Sequence, residues 1–98
     1  MFNMSNGRVE FKFNNGYRVI ITNSRRGGEL LKRKGDMYIY INDTDVTKQF
    51  CDSGILKYGG KRMNADQIIK VCNIIKNLPY PQYEEDGGLL IGEKIYRS

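Results

Sequence analysis

The feature that most constrains the fold is a pair of alternating apolar segments joined by a short polar turn. Residues 9–13 alternate apolar and polar side chains, as a half-buried strand does. The next three residues, 14–16, read Asn-Asn-Gly, and Asn-Gly favours a tight turn because both residue types tolerate positive φ. Residues 17–22 then form the return strand. Three apolar side chains of this strand share one face: Tyr17, Val19 and Ile21. The sequence therefore predicts a β-hairpin.

Further strands are expected downstream of the hairpin. Residues 37–41 alternate in the same way and place Tyr38 and Tyr40 on the face opposite their apolar neighbours. Residues 46–50 fit either a short strand or a single helical turn, and residues 55–58 fit another short strand. The pattern thus predicts an antiparallel sheet of three to five strands.

One helix is expected over residues 65–77. Asn64 is suited to cap its first turn, and Pro79 ends it. Apolar residues at helical spacing make one stripe: Ile68, Val71, Cys72, Ile75 and Leu78. Ile69 and Ile74 lie off the stripe, which predicts burial on more than one side of the helix.

Together these elements predict an α+β fold, a small antiparallel sheet with one helix packed on one face. The chain length predicts a single domain over residues 1–98. Residues 1–7 are expected to form a flexible N-terminus, and residues 80–98 an acidic turn followed by a C-terminal edge strand. The helix stripe is expected to pack on the sheet face that bears Phe11, Phe13, Val19, Ile21, Ile39 and Ile41.

The composition excludes several kinds of catalysis. The chain has no His, which excludes Ser-His and Cys-His nucleophile pairs and an imidazole base. Two Cys are too few for a typical zinc site, and neither a P-loop nor a dinucleotide-binding motif is present. The carboxylates of Asp43, Asp45 and residues 84–86 fit turns and caps better than catalysis. We therefore expect no enzymatic activity, no metal and no cofactor.

The cysteines and apolar runs bear on location. Cys51 and Cys72 are isolated and fit core thiols better than reactive ones. No apolar run is long enough to span a bilayer, and the N-terminus does not resemble a signal peptide. We expect a soluble cytoplasmic protein. Residues specified by AT-rich codons (Phe, Tyr, Met, Ile, Asn and Lys) number 44 of 98, which suggests a bacterial, phage or mobile-element gene.

The positive charge is concentrated in one segment. Residues 1–42 carry the whole net charge of +5, and residues 25–34 hold five cations against one anion. Such a segment attracts a polyanion or an acidic protein surface, unless it is only solvated surface. Leu30 and Leu31 within it indicate either a helical turn docked on the core or an exposed apolar contact.

A second candidate surface is the polar face of the sheet. Tyr38 and Tyr40 lie there with Lys12 and Arg18, and aromatics interleaved with cations are typical of a platform for single-stranded nucleic acid. Tyr is also simply a good strand residue. Residues 59–62, Gly-Gly-Lys-Arg, form a smaller basic site ahead of the helix. The candidate partner-binding residues are Arg25, Arg26, Leu30, Lys32, Arg33, Lys34, Tyr38, Tyr40, Lys61 and Arg62.

Two functions are compatible with these features. The first is a non-enzymatic protein-binding module: a small accessory or inhibitor protein of a phage or mobile element that occludes a host enzyme, such as one that handles nucleic acid or acts in defence. The alternative is a nucleic-acid-binding domain that uses residues 25–34 and the Tyr38 and Tyr40 face. Contact between the acidic residues 84–86 and residues 25–34 would neutralise the positive field of the basic segment and argue against the nucleic-acid-binding alternative.

Overall fold

The predicted hairpin lies at the centre of a five-stranded antiparallel sheet, in a computed structural model that describes residues 2–5, 8–23 and 35–97. The strands pair in chain order: β1 (Phe2–Ser5), β2 (Arg8–Lys12), β3 (Tyr17–Asn23), β4 (Gly35–Ile41) and β5 (Thr44–Asp45). The α+β class is confirmed. β1 pairs with β2 where the sequence predicted a flexible N-terminus.

The turn between β2 and β3 differs in detail from the expected one. The Phe13 N–H donates to the Tyr17 carbonyl (2.9 Å), and the Gly16 N–H donates to the Phe13 carbonyl (3.2 Å). This pattern closes a three-residue loop, in which Gly16 has a φ of 89°. Positive φ is therefore needed at the glycine and not at Asn15, as in three-residue hairpins that end in a left-handed residue.

Two helices follow the sheet. α1 (Thr47–Asp52) resolves the ambiguity at residues 46–50 in favour of a helical turn. α2 (Ala65–Lys76) matches the predicted helix, and it begins with a capping box in which the side chains of Asn64 and Gln67 each accept the other's backbone N–H. The strand predicted at 55–58 is wrong, because positive φ at Tyr58, Gly59 and Gly60 turns the chain into a left-handed 3₁₀ turn over Tyr58–Gly60.

The hydrophobic core lies between the sheet and α2. Ile68, Val71 and Ile75 of the predicted stripe are buried in one cluster with alternate residues of β2, β3 and β4, and Cys72 and Leu78 pack at its margin. The sheet contributes Val9, Tyr17, Val19, Ile21, Met37, Ile39 and Ile41. The expectation that Ile69 and Ile74 are buried is wrong. They are 57% and 38% exposed, because α2 packs on the sheet through one side only.

A second, three-stranded sheet is formed by the C-terminal segment. Its strands are β6 (Gln82–Tyr83), β7 (Leu89–Ile91) and β8 (Lys94–Tyr96). The sequence predicted a single edge strand here, but β7 is the central strand and pairs with both neighbours. Leu89 and Ile91 are buried in the same core as the first sheet, which explains why this segment folds against it.

The hairpin turn and the end of α2 are joined by the side chain of Asn15. Its Nδ2 atom donates to the carbonyls of Ile75 and Leu78, each at 2.8 Å. Its Oδ1 atom accepts from the Tyr17 N–H at 3.2 Å. Asn15 is buried, and the two carbonyls lie in the last turn of α2 and just after it, where the Asn15 amide adds to the Leu78 N–H bond to the Ile75 carbonyl (3.1 Å). The turn therefore caps the helix from 60 residues away.

Candidate functional site

The described candidate residues gather on the sheet face that points away from α2, here called the outer face. Tyr38 and Tyr40 are half-buried there on β4. Lys61 and Arg62 follow the 3₁₀ turn in the segment that leads to the Gly35–Met63 bridge at the edge of β4. The other predicted site residues lie outside the described residues, and their role stays a prediction: Arg25, Arg26, Leu30, Lys32, Arg33 and Lys34.

Strand register sets the order of the outer face. In one cross-strand row, Glu10, Ile20 and Tyr38 lie side by side. In the next row, Lys12 and Arg18 lie beside Tyr40. Ile20, in the first row, is only 7% exposed, so its neighbours leave little of its apolar surface open to solvent.

Lys61 reaches over the edge of the sheet to Tyr38. Its Nζ atom lies 4.4 Å from the centroid of the Tyr38 ring and donates to the Tyr38 hydroxyl at 2.6 Å. The hydrogen bond to Tyr38 raises the pKa of Lys61 above its ordinary value, since it favours the charged amine.

Arg18 makes the corresponding contact with Tyr40. Its guanidinium carbon lies 5.1 Å from the Tyr40 ring centroid, and its Nη1 atom donates to Glu10 Oε2 at 2.9 Å. The Arg18 Nε atom is buried and has no hydrogen-bond partner within the described chain. Arg18 is thus held between Glu10 and Tyr40, and Glu10 offsets its charge.

Arg62 contributes through its backbone. Its N–H donates to Asp36 Oδ1 at 2.9 Å, and its φ is 54°. This bond fixes the segment that carries Lys61 to the first residues of β4. The Arg62 side chain is exposed.

The carboxylate clusters have structural partners. Asp45 Oδ1 accepts the N–H of Thr47, the first residue of α1, at 2.8 Å. Asp86 accepts from Arg97 Nε at 2.9 Å and from the Gly88 N–H at 3.1 Å. The Arg97 and Gly88 hydrogen bonds lower the pKa of Asp86. The contact between residues 84–86 and residues 25–34 that was considered from the sequence involves a segment outside the described residues.

The two thiols are free and half-buried. Burial raises the pKa of Cys72 to about 11 and also raises that of Cys51, whose pKa is raised further by Asp52 and Asp45. A raised pKa leaves little thiolate, the nucleophilic form, at neutral pH. Within residues 8–22 and 35–97, no group of three or more His, Cys, Asp or Glu side chains could hold a metal ion.

Glu10 and Arg18 were both missing from the candidate partner-binding residues predicted from the sequence, although Arg18 was placed among the cations of the polar face. Alternation alone puts both side chains on the face of Tyr40. Their contacts depend on the register of three strands, which a single segment does not contain.

Comparison with protein-family models, curated proteins and solved structures found no match to this chain. In the part of the chain that the structure describes, no helix is long and apolar enough to cross a membrane.

Proposed function

We propose that this chain is a non-enzymatic protein-binding module whose outer face contacts a partner protein. The observation that carries the proposal is the contact of Lys61 with Tyr38 and of Arg18 with Tyr40. A nucleic-acid base stacks on an open ring, whereas here each ring already contacts a cation of the same chain: the Arg18 guanidinium lies near the Tyr40 ring, and the Lys61 Nζ atom lies at the hydroxyl end of Tyr38. Tyr and Arg are enriched among the residues that dominate protein–protein binding energy.

The charge distribution supports the same choice. The described residues hold eleven Lys or Arg against ten Asp or Glu, a net +1, and residues 25–34 supply the remaining +4 of the total. Arg18 is moreover paired with Glu10. The outer face therefore offers a weak field for phosphates, and the net +4 of residues 25–34 is suited to attract an acidic protein surface.

The sequence suggested a particular form of this function, in which a small phage or mobile-element factor occludes a host enzyme. That form stays a prediction. Nucleic-acid binding through residues 25–34, with Tyr38 and Tyr40, is the alternative that the experiment below separates.

The test is capture of a partner from a nuclease-treated lysate of the source cells on the immobilised protein. Replacing Tyr40 and Lys61 together by Ala should weaken capture at least roughly tenfold, since truncating an interface hot spot costs about 2 kcal/mol or more. The matched control replaces Tyr80 and Lys94 by Ala. These are exposed residues of the same types outside the outer face, and capture should be unchanged.

The contrary results are specific. Capture that disappears on nuclease treatment, together with a gel shift of single-stranded DNA whose affinity falls steeply with salt, would establish the nucleic-acid alternative. Equal capture of the partner by the two double variants would show that the outer face is not part of the interface. Circular dichroism of each variant checks that the fold is retained.

A further inference from the structure

A groove of about 460 Å³ lies between α2 and the segment that follows α1. Its apolar floor is formed by Met63 and Val71, which are 3% and 6% exposed, and by half-buried Ile55. Tyr58 and Ile74 stand at its rim. We call it the α2 groove. The remaining lining residues are Ser53, Gly54, Lys57, Gln67 and Lys70.

The backbone around Tyr58 holds its side chain out at the rim. Tyr58 has a φ of 57°, in the left-handed region that L-residues other than glycine rarely adopt, and it is 77% exposed. The turn is fixed from inside by Leu56, which is 1% exposed, and by Gly60, where a Cβ atom would lie 2.6 Å from the Met37 carbonyl oxygen. A strained, exposed aromatic residue is more typical of a binding surface than of a solvated turn.

The charge of the α2 groove has one sign. Lys57 and Lys70 are both exposed, and the described lining contains no Asp or Glu. On α2 the lining residues Gln67, Lys70, Val71 and Ile74 follow the spacing of one helix face. That face is about 10 Å long, since each helical residue rises about 1.5 Å, and about three extended residues of a second chain span this length.

We propose that the α2 groove binds a short segment of a partner protein that presents an apolar side chain flanked by carboxylates. The apolar side chain packs on Met63 and Val71 beneath the Tyr58 ring. The carboxylates lie near Lys57 and Lys70 on the two walls. This surface goes beyond the proposed function, because it lies on the α2 side of the sheet and shares no residue with the outer face.

The probe is a library of random hexapeptides presented by ribosome display to the immobilised protein. Peptides that survive selection should combine a large apolar residue with Asp or Glu. A selected peptide, labelled with fluorescein, is then titrated by fluorescence polarisation. Replacing Lys57 and Lys70 by Glu should weaken its binding roughly tenfold or more, because like charges now face the peptide carboxylates. The control, Lys76→Glu with Lys94→Glu, changes the net charge equally outside the groove and should leave binding unchanged.

A second variant separates binding from folding. Tyr58→Gly relieves the left-handed backbone, so its urea midpoint should not fall, yet peptide binding should weaken severalfold because the rim loses its ring. The outer-face variant, Tyr40→Ala with Lys61→Ala, should keep full peptide affinity, which distinguishes the groove from the proposed interface. Absence of enrichment over blank beads, selection of peptides without acidic residues, or equal weakening by the two charge-reversal variants would each overturn the proposal.

Discussion

At the residue scale, Asn15 shows how a turn residue is used twice. Its position before Gly16 fits the hairpin, while its buried amide completes the hydrogen bonding at the end of α2. The Asn-Gly pattern could predict the turn, because turn preferences are local. It could not predict the contact with Ile75 and Leu78, because nothing in a local pattern identifies a partner 60 residues away.

Replacing Asn15 by Ala should lower the free energy of unfolding by about 1–3 kcal/mol, the cost of leaving buried polar groups without partners. Urea denaturation followed by circular dichroism measures the change. Asn14→Ala, in the same loop at an exposed position, is the control and should stay within about 0.5 kcal/mol of the original protein. Equal midpoints for the two variants would show that the amide bonds add nothing to stability.

Cys72 should react slowly with thiol reagents in the folded protein. Its pKa of about 11, compared with an ordinary value of 9.0, leaves roughly 100-fold less thiolate at pH 8 than an unperturbed cysteine has. The rate of reaction with Ellman's reagent, measured in a Cys51→Ser variant, should therefore rise by about that factor when urea unfolds the chain. Similar rates in both states would contradict the proposed burial of the thiol.

At the element scale, α2 follows its sequence closely because its signals are local. Asn64 and Gln67 form the capping box at its start, and the apolar stripe faces the core as predicted. The short strands β6 and β8 have no comparable signal. Each is only two or three residues long and is defined by pairing with β7, so its existence depends on tertiary packing.

Ile75→Ala should destabilise the protein by about 2–5 kcal/mol, because the side chain is fully buried between α2 and the sheet. Ile69→Ala is the matched control on the same helix. Ile69 is 57% exposed, so its truncation should change stability by less than about 1 kcal/mol. The two denaturation midpoints show which face of α2 is buried. A larger loss of stability for Ile69→Ala than for Ile75→Ala would contradict the orientation described for the helix.

At the scale of the whole molecule, the charge lies mainly outside the described fold. The described residues are almost neutral, and residues 25–34 hold most of the net charge. The sequence could predict this imbalance and also the alternation that presents Tyr38 and Tyr40. Two contacts could not be predicted from the sequence, because each joins residues from different segments that only the assembled sheet brings together. They are the ion pair between Arg18 and Glu10 and the hydrogen bond from Lys61 to Tyr38.

Replacing Arg25, Arg26, Lys32 and Arg33 by Ala should leave the free energy of unfolding, measured by urea denaturation, within about 0.5 kcal/mol of the original value. It should lower the association rate with a protein partner more than it raises the dissociation rate, because charges at an interface rim mainly steer encounter. Surface plasmon resonance at two salt concentrations measures both rates. Unchanged association at low salt would show that residues 25–34 play no part in binding.

The edge of β4 that faces away from β3 forms hydrogen bonds with later segments of the same chain. Gly35 exchanges two backbone hydrogen bonds of 2.8 Å with Met63. The Ile39 carbonyl accepts from the Val46 N–H, and the Ile39 N–H donates to the Thr47 hydroxyl. Unpaired strand edges are templates on which further copies of a protein add as strands, the first step toward fibrils. Because these groups are already satisfied, β4 is a poor seed for aggregation, even though the strand itself is rich in Tyr and Ile.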